Sequence, residues 1–173
     1  MSRLFVIAVA ALALLAVAAP ANTARPGGLT ATFAVHFPKG HPGSNAPCDP
    51  DAFCGVGTVA GYGAATMTIL DETFDPIDGS SCLATTRVEE IDLSDGSGSL
   101  ALESAGTFCR PGGSGDSDAS SSSYGSPGRW DLRFTVDGPE STGVFAGVTG
   151  TGVETMNVAG GIGVWHLHGG IFG

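Results

Sequence analysis

The sequence predicts an all-β domain of seven or eight antiparallel strands, closed as a barrel or stacked as a sandwich. Three observations carry that reading. Residues 29–37 and 129–137 alternate apolar and polar side chains with the two-residue period of a half-buried strand. No segment beyond residue 21 has a helical period. Turn signals punctuate the apolar stretches, among them Asp75-Pro76, Asp78-Gly79, Asp95-Gly96 and Asp137-Gly138-Pro139.

The chain opens on a segment that is set apart from this pattern. Arg3 supplies a positive charge, and Leu4 to Ala19 is unbroken apolar sequence ending in small residues. That run is short for a membrane span of about 20 residues and fits a secretory signal peptide over residues 1–21. Ala19-Pro20-Ala21 before Asn22 suits cleavage, with a cut after Ala18 as the alternative. Residues 22–28 then form a flexible mature N-terminus, and 29–173 the folded domain.

In the first strand Ala31, Phe33, Val35 and Phe37 share one face, and Thr30, Thr32, Ala34 and His36 share the other. Residues 57–70 read as one long strand bent at Gly61 and Gly63, and 71–81 as a connection. A hairpin follows. Folded about Asp95-Gly96, it sets Ile91 against Leu100, Glu89 against Leu102 and Cys82 against Cys109. Directly opposed cysteines on neighbouring strands lie within bridging distance. Cys82–Cys109 is therefore the expected disulfide, leaving Cys48 and Cys54 to close a small loop. The cysteines lack any Cys-x₂-Cys pair, which argues against a structural zinc site. Residues 110–128, rich in glycine and serine, form a loop that cannot support a core. Trp130, Leu132, Phe134 and Val136 then share one face of a strand, and a last hairpin spans 150–158 and 163–172.

Composition limits the partners. The chain has 17 acidic and 7 basic residues and 28 glycines. An acidic protein without a basic cluster is poorly suited to nucleic acid or to anionic membranes. No stable membrane insertion is expected once the signal is removed.

Between these strands lies Ser141-Thr142-Gly143-Val144-Phe145-Ala146-Gly147-Val148-Thr149-Gly150. It reads as a tight turn feeding a strand, with Phe145 packed inward. The motif formed by Gly143, Phe145, Gly147 and Gly150 resembles the Gly-x-Phe-x-Gly-x-x-Gly signature of the allene oxide cyclase and dirigent barrels. A looser likeness covers roughly residues 125–171. The resemblance implies a small eight-stranded antiparallel β-barrel, closest in character to the secreted bacterial members of that superfamily, many without an assigned activity. It also implies that such barrels associate into dimers or trimers. In plants, barrels of this shape steer ring closure or coupling of a reactive apolar intermediate. The shared motif is structural, and none of those enzymes' pocket residues maps onto this sequence, so the catalytic residues are unknown.

Further groups of polar residues each have a functional and a simpler reading. His166 and His168 point to one face of the last strand. If the first and last strands pair, His36 could join them in a zinc or copper site; separate polar positions on a solvated or cavity-lining face are the simpler reading. Asp49 and Asp51 read as a solvated acidic loop rather than a calcium site, which needs six to eight oxygens. Gly112 to Asp118 is similar to a calcium-binding nonapeptide, but Ser117 stands where an Asp is required and the segment does not recur. Arg87, Glu89, Glu90 and Glu103 read as surface charges that protect strand edges. A carboxylate aimed into an apolar interior would instead have a raised pKa and general acid–base capacity.

The sequence thus indicates a secreted, disulfide-stapled barrel without catalytic machinery or cofactor, acting as a binding or extracellular structural module whose partner is a small apolar ligand. A barrel cyclase or dirigent-like guide is the alternative, and a histidine-based metal-binding envelope protein a third.

Overall fold

The computed structural model describes residues 27–36, 53–110, 127–159 and 162–173. Eight strands follow in order: β1 (Gly27–His36), β2 (Phe53–Val59), β3 (Gly63–Pro76), β4 (Cys82–Leu93), β5 (Ser99–Cys109), β6 (Gly128–Asp137), β7 (Thr149–Ala159) and β8 (Ile162–Phe172). Each is antiparallel to its neighbour, and β1 pairs with β8 to close the barrel. Closure removes both sheet edges, so every strand finds two partners.

Side chains of alternate residues fill the inside. Leu29, Ala31, Phe33 and Val35 of β1 are buried, as are Trp130, Leu132, Phe134 and Val136 of β6. Small residues make room for the large ones. A Cβ on Gly152 would lie 2.4 Å from both the His168 carbonyl oxygen and the Phe134 ring, so only glycine leaves room for that ring beside β7.

The β4–β5 register is the one the hairpin turn sets. Cys82 faces Cys109, Glu89 faces Leu102 and Ile91 faces Leu100. The Cys82–Cys109 disulfide is formed, closing a separation of 27 residues. Cys54 is also disulfide-bonded; its expected partner Cys48 lies outside the described residues, as do the signal segment, Asp49, Asp51 and residues 111–126.

Three expectations need correction. Residues 57–70 do not form one bent strand: Gly61 and Gly63 take φ of +81° and +111°, and the chain reverses there between β2 and β3. β3 then runs on to Pro76, because a register shift at Ile69/Asp71 lets its second half pair with the start of β4 as far as Pro76 against Leu83. Only 77–81 is connection. Finally, β1 begins at Gly27, so Gly27 and Gly28 belong to the barrel rather than to a flexible tail.

The two ends of the barrel differ. At one end, Gly143–Phe145 forms a single turn of 3-10 helix between β6 and β7. Phe145 is fully buried and packs on Tyr62 of the β2–β3 turn, ring centroids 4.7 Å apart. The turn is tied to the β4–β5 hairpin by Val144 N–H donating to the Ser97 carbonyl and Thr142 N–H to that of Ser99. Gly143 has φ of +56°, and a Cβ there would sit 2.0 Å from the Ser97 carbonyl oxygen. The glycine motif is thus a plug rather than a simple entry into β7. The described ends of β1, β3, β5 and β7 and the starts of β2, β4, β6 and β8 lie at the opposite end, with 77–81 joining β3 to β4 there.

Candidate functional site inside the barrel

Strand alternation sends several polar side chains inward among the apolar ones. On β4, Thr85, Arg87 and Glu89 lie on the same face as Ile91 and Leu93. Across the ladders, Glu72 of β3 faces Arg87, and Ser104 of β5 faces it from the other side. Glu154 of β7 stands opposite Leu132 and Leu167. Arg87 is 2% exposed, Glu89 0% and Glu154 1%.

These groups form one cluster. Arg87 Nε donates to Glu72 Oε1 at 2.5 Å, and Trp130 Nε1 donates to the same oxygen at 3.2 Å. Arg87 Nη1 lies 3.9 Å from Glu89 Oε1, and Ser104 Oγ donates to Glu89 Oε2 at 3.4 Å. The guanidinium is set between indoles, 5.1 Å from the Trp130 ring centroid and 5.0 Å from that of Trp165, with the Phe53 ring at 6.0 Å. A desolvated cation held over aromatic faces gains on the order of 2 kcal/mol per contact.

The cluster is incompletely satisfied. Glu72 Oε2, Glu89 Oε1, both oxygens of Glu154, Arg87 Nη1 and Nη2, Thr85 Oγ1 and Trp165 Nε1 are buried without a hydrogen-bond partner in the protein. Each such group costs roughly 1–3 kcal/mol unless something else pairs with it. The carboxyls respond by holding protons. Burial, then the neighbouring Glu154, pushes Glu89 well above the usual carboxylate range. Burial likewise pushes Glu154 up to about 7, against the lowering influence of Arg87. Two carboxyls facing one another in low dielectric cannot both ionise cheaply.

Arg87 and Glu89 are therefore interior residues and not surface charges, correcting the expectation drawn from sequence. Glu103 is exposed and Glu90 partly so. The signal that could have found the inner pair was present: Glu89 and Arg87 share the parity of Ile91 and Leu93, whose partner Leu100 fixes the inner face. Glu72 and Glu154 are less legible, since Glu72 lies beyond the bulge, where the alternation is broken, and Glu154 reaches the cluster from a strand distant in sequence.

The histidines stand elsewhere. His166 and His168 are on the outer wall, their Nδ1 atoms within 3.1 Å of Thr32 Oγ1 and 3.3 Å of Thr30 Oγ1 respectively. The β1–β8 closure that would bring His36 near them exists, but His36 pairs with Ile162, well along the ladder from Thr32 and His166. Among the described residues no group of three or more His, Cys, Asp or Glu is placed to hold a metal ion.

Comparison of the chain with family models, with curated proteins and with solved structures finds no match in any of the three.

Proposed function

We propose that this protein is a secreted, disulfide-stapled barrel that binds a small, largely apolar molecule inside the barrel, with the molecule's polar part at the Arg87–Glu89–Glu154 cluster. The single observation that carries this reading is the convergence of buried polar atoms that no protein group pairs. A folded domain leaves few such groups, and a concave apolar site with a few convergent polar ones is the ordinary form of a ligand site. The aromatic side chains around them, Trp130, Trp165 and Phe53, suit an apolar ligand body.

Secretion is supported by the apolar leader over residues 1–21 and by the Cys82–Cys109 disulfide, a bond that persists in oxidising compartments. Membership of the allene oxide cyclase and dirigent superfamily is supported by the Gly143-to-Gly150 motif together with the eight-stranded closure. A second reading, a barrel that guides or catalyses a reaction of its ligand, is favoured by one observation. Glu154 is a buried carboxyl poised near neutrality, suited to proton transfer.

The test is native mass spectrometry of the oxidised protein purified without denaturation from the medium of its source. The expected result is a retained small molecule that an Arg87→Met, Glu154→Gln double variant releases. A wild-type protein that carries nothing, and whose interior takes up no amine, acid or alcohol probe, would overturn the reading.

A further inference from the structure

Glu89 and Glu154 stand on β4 and β7, strands that are not neighbours, with β5 and β6 between them in the wall. Their carboxyl groups meet in the interior, within hydrogen-bonding reach of one another. Ionised carboxylates only accept hydrogen bonds. Two of them in contact have nothing to exchange, and Glu89 Oε1 and both Glu154 oxygens are among the interior atoms without a donor. A proton on one carboxyl supplies that donor. Charge points the same way. Arg87, Glu89 and Glu154 are the charged residues buried among those described, and Arg87 is paired with Glu72, whose side chain is 1% exposed. Arg87 and Glu72 cancel, so the cluster is neutral when both remaining carboxyls are protonated and doubly negative when neither is.

We propose that Glu89 and Glu154 form a proton-held clasp across the barrel, tying β4 to β7, which opens the interior to water when its last proton leaves for solvent. The charged groups enclosed with it are Glu72 of β3 and Arg87 of β4. Ser104 of β5, Trp130 of β6 and Trp165 of β8 add neutral polar groups, Phe53 of β2 an apolar ring, and the buried side chains of β1 are Leu29, Ala31, Phe33 and Val35. His166 and His168 lie on the outer face of β8, against Thr32 and Thr30. The clasp does not rest on the interior-binding reading, since Arg87 Nη1 and Nη2, Thr85 Oγ1 and Trp165 Nε1 lack a partner whichever carboxyl holds the proton.

The protons leave in two steps that belong to the pair. Burial pushes Glu154 up to about 7 and Glu89 well above the usual carboxylate range. Both are raised on folding, so the protons are held below neutrality and lost as pH rises. After the first loss a carboxylic acid faces a carboxylate. That charge-assisted hydrogen bond is stronger than a neutral one, and the clasp stays shut. After the second loss, two like charges face each other in a low-dielectric interior, and only entering water can solvate them. Trp130 and Trp165, the 2 tryptophans of the chain, are buried against Arg87 and report that entry.

The experiment titrates the oxidised protein from about pH 5.5 to about pH 9. It reads the infrared absorption of buried protonated carboxyls, tryptophan emission with acrylamide quenching, and far-ultraviolet circular dichroism. The expected result is a carboxyl band that fades in two steps while the strand signal is unchanged. Tryptophan emission should move to longer wavelength, and become quenchable, only with the second step. Glu154→Gln places an amide donor beside Glu89 at every pH and should keep the tryptophans shielded throughout. Glu89→Gln does the same from β4, so either variant suffices if the other fails to fold. Replacing His166 and His168 with glutamine, or Glu103 on the outer wall, should leave the wild-type transition in place. Tryptophan exposure with the first step, or none across both, overturns the clasp, as does exposure that arrives together with loss of the strand signal. Exposure that persists in the glutamine variants of Glu89 and Glu154 overturns it too.

Discussion

Arg87 and Glu72 face one another across β4 and β3 inside the barrel, Nε to Oε1 at 2.5 Å, with both side chains fully shielded from solvent. A buried pair of this kind is costly to break, because removing one partner strands the other's charge in a low-dielectric interior. Arg87→Met should therefore destabilise the protein by about 3–5 kcal/mol. The double variant Arg87→Met, Glu72→Gln should recover much of that loss. Chemical denaturation of the three proteins measures both values, and an Arg87→Met loss within ~0.5 kcal/mol would place the side chain at the surface.

Stability should fall as pH rises through neutrality. The Glu154 carboxyl has a raised pKa in the folded state, so the native protein binds more protons than the unfolded chain between the ordinary glutamate value of 4.5 and about 7. Stability is then fully present below that window and is lost across it, with a loss on the order of 3 kcal/mol for Glu154 alone. Glu89, displaced the same way, extends the decline to higher pH. Glu154→Gln should remove much of the slope. Urea midpoints at stepped pH provide the measurement; a stability that rises with pH across this range would contradict the buried carboxyls.

The legibility of this molecule in its sequence divides by range. Alternation in residues 29–37 and 129–137 exposed the strands, and the Asp95-Gly96 turn fixed a register that carried Cys82 to Cys109. Both are local: one needs a two-residue period, the other a single turn. The interior cluster was obscured because inside and outside are set by the closing of eight strands, and Glu89 alternates with Glu90 on a strand whose two faces both carry charge. Glu154 and Glu72 reach the same cluster from strands far apart in sequence, which no local pattern records. β3 extends past the stretch that alternates, because the bulge at Ile69/Asp71 breaks the period by which strands are recognised.

The plug gives a separate test. Phe145→Ala should cost about 3–5 kcal/mol, as for a fully enclosed aromatic side chain. Gly143→Ala should cost several kcal/mol by a different route, since the new Cβ would collide with the Ser97 carbonyl at a backbone angle that favours glycine. Thermal unfolding of each variant checks these values. A loss below ~1 kcal/mol for Phe145→Ala would show that the ring does not close the barrel end.

The Cys82–Cys109 bridge closes 27 residues and should contribute roughly 3–4 kcal/mol by constraining the unfolded chain. Replacing both cysteines with serine should lower the denaturation midpoint accordingly, with the β4–β5 register kept by the Asp95-Gly96 turn. Hydrogen exchange along β4 and β5 would report that register; loss of protection confined to these strands would mean that the disulfide, rather than the turn, sets it.

Glu154 and Glu89 are enclosed inside the barrel, where burial favours their protonated forms. The most direct measurement is an NMR titration of the glutamate side-chain carboxyl carbons, assigned with Glu154→Gln and Glu89→Gln. The predicted result is Glu154 titrating at about 7. A Glu154 resonance that titrates in the ordinary glutamate range would contradict it.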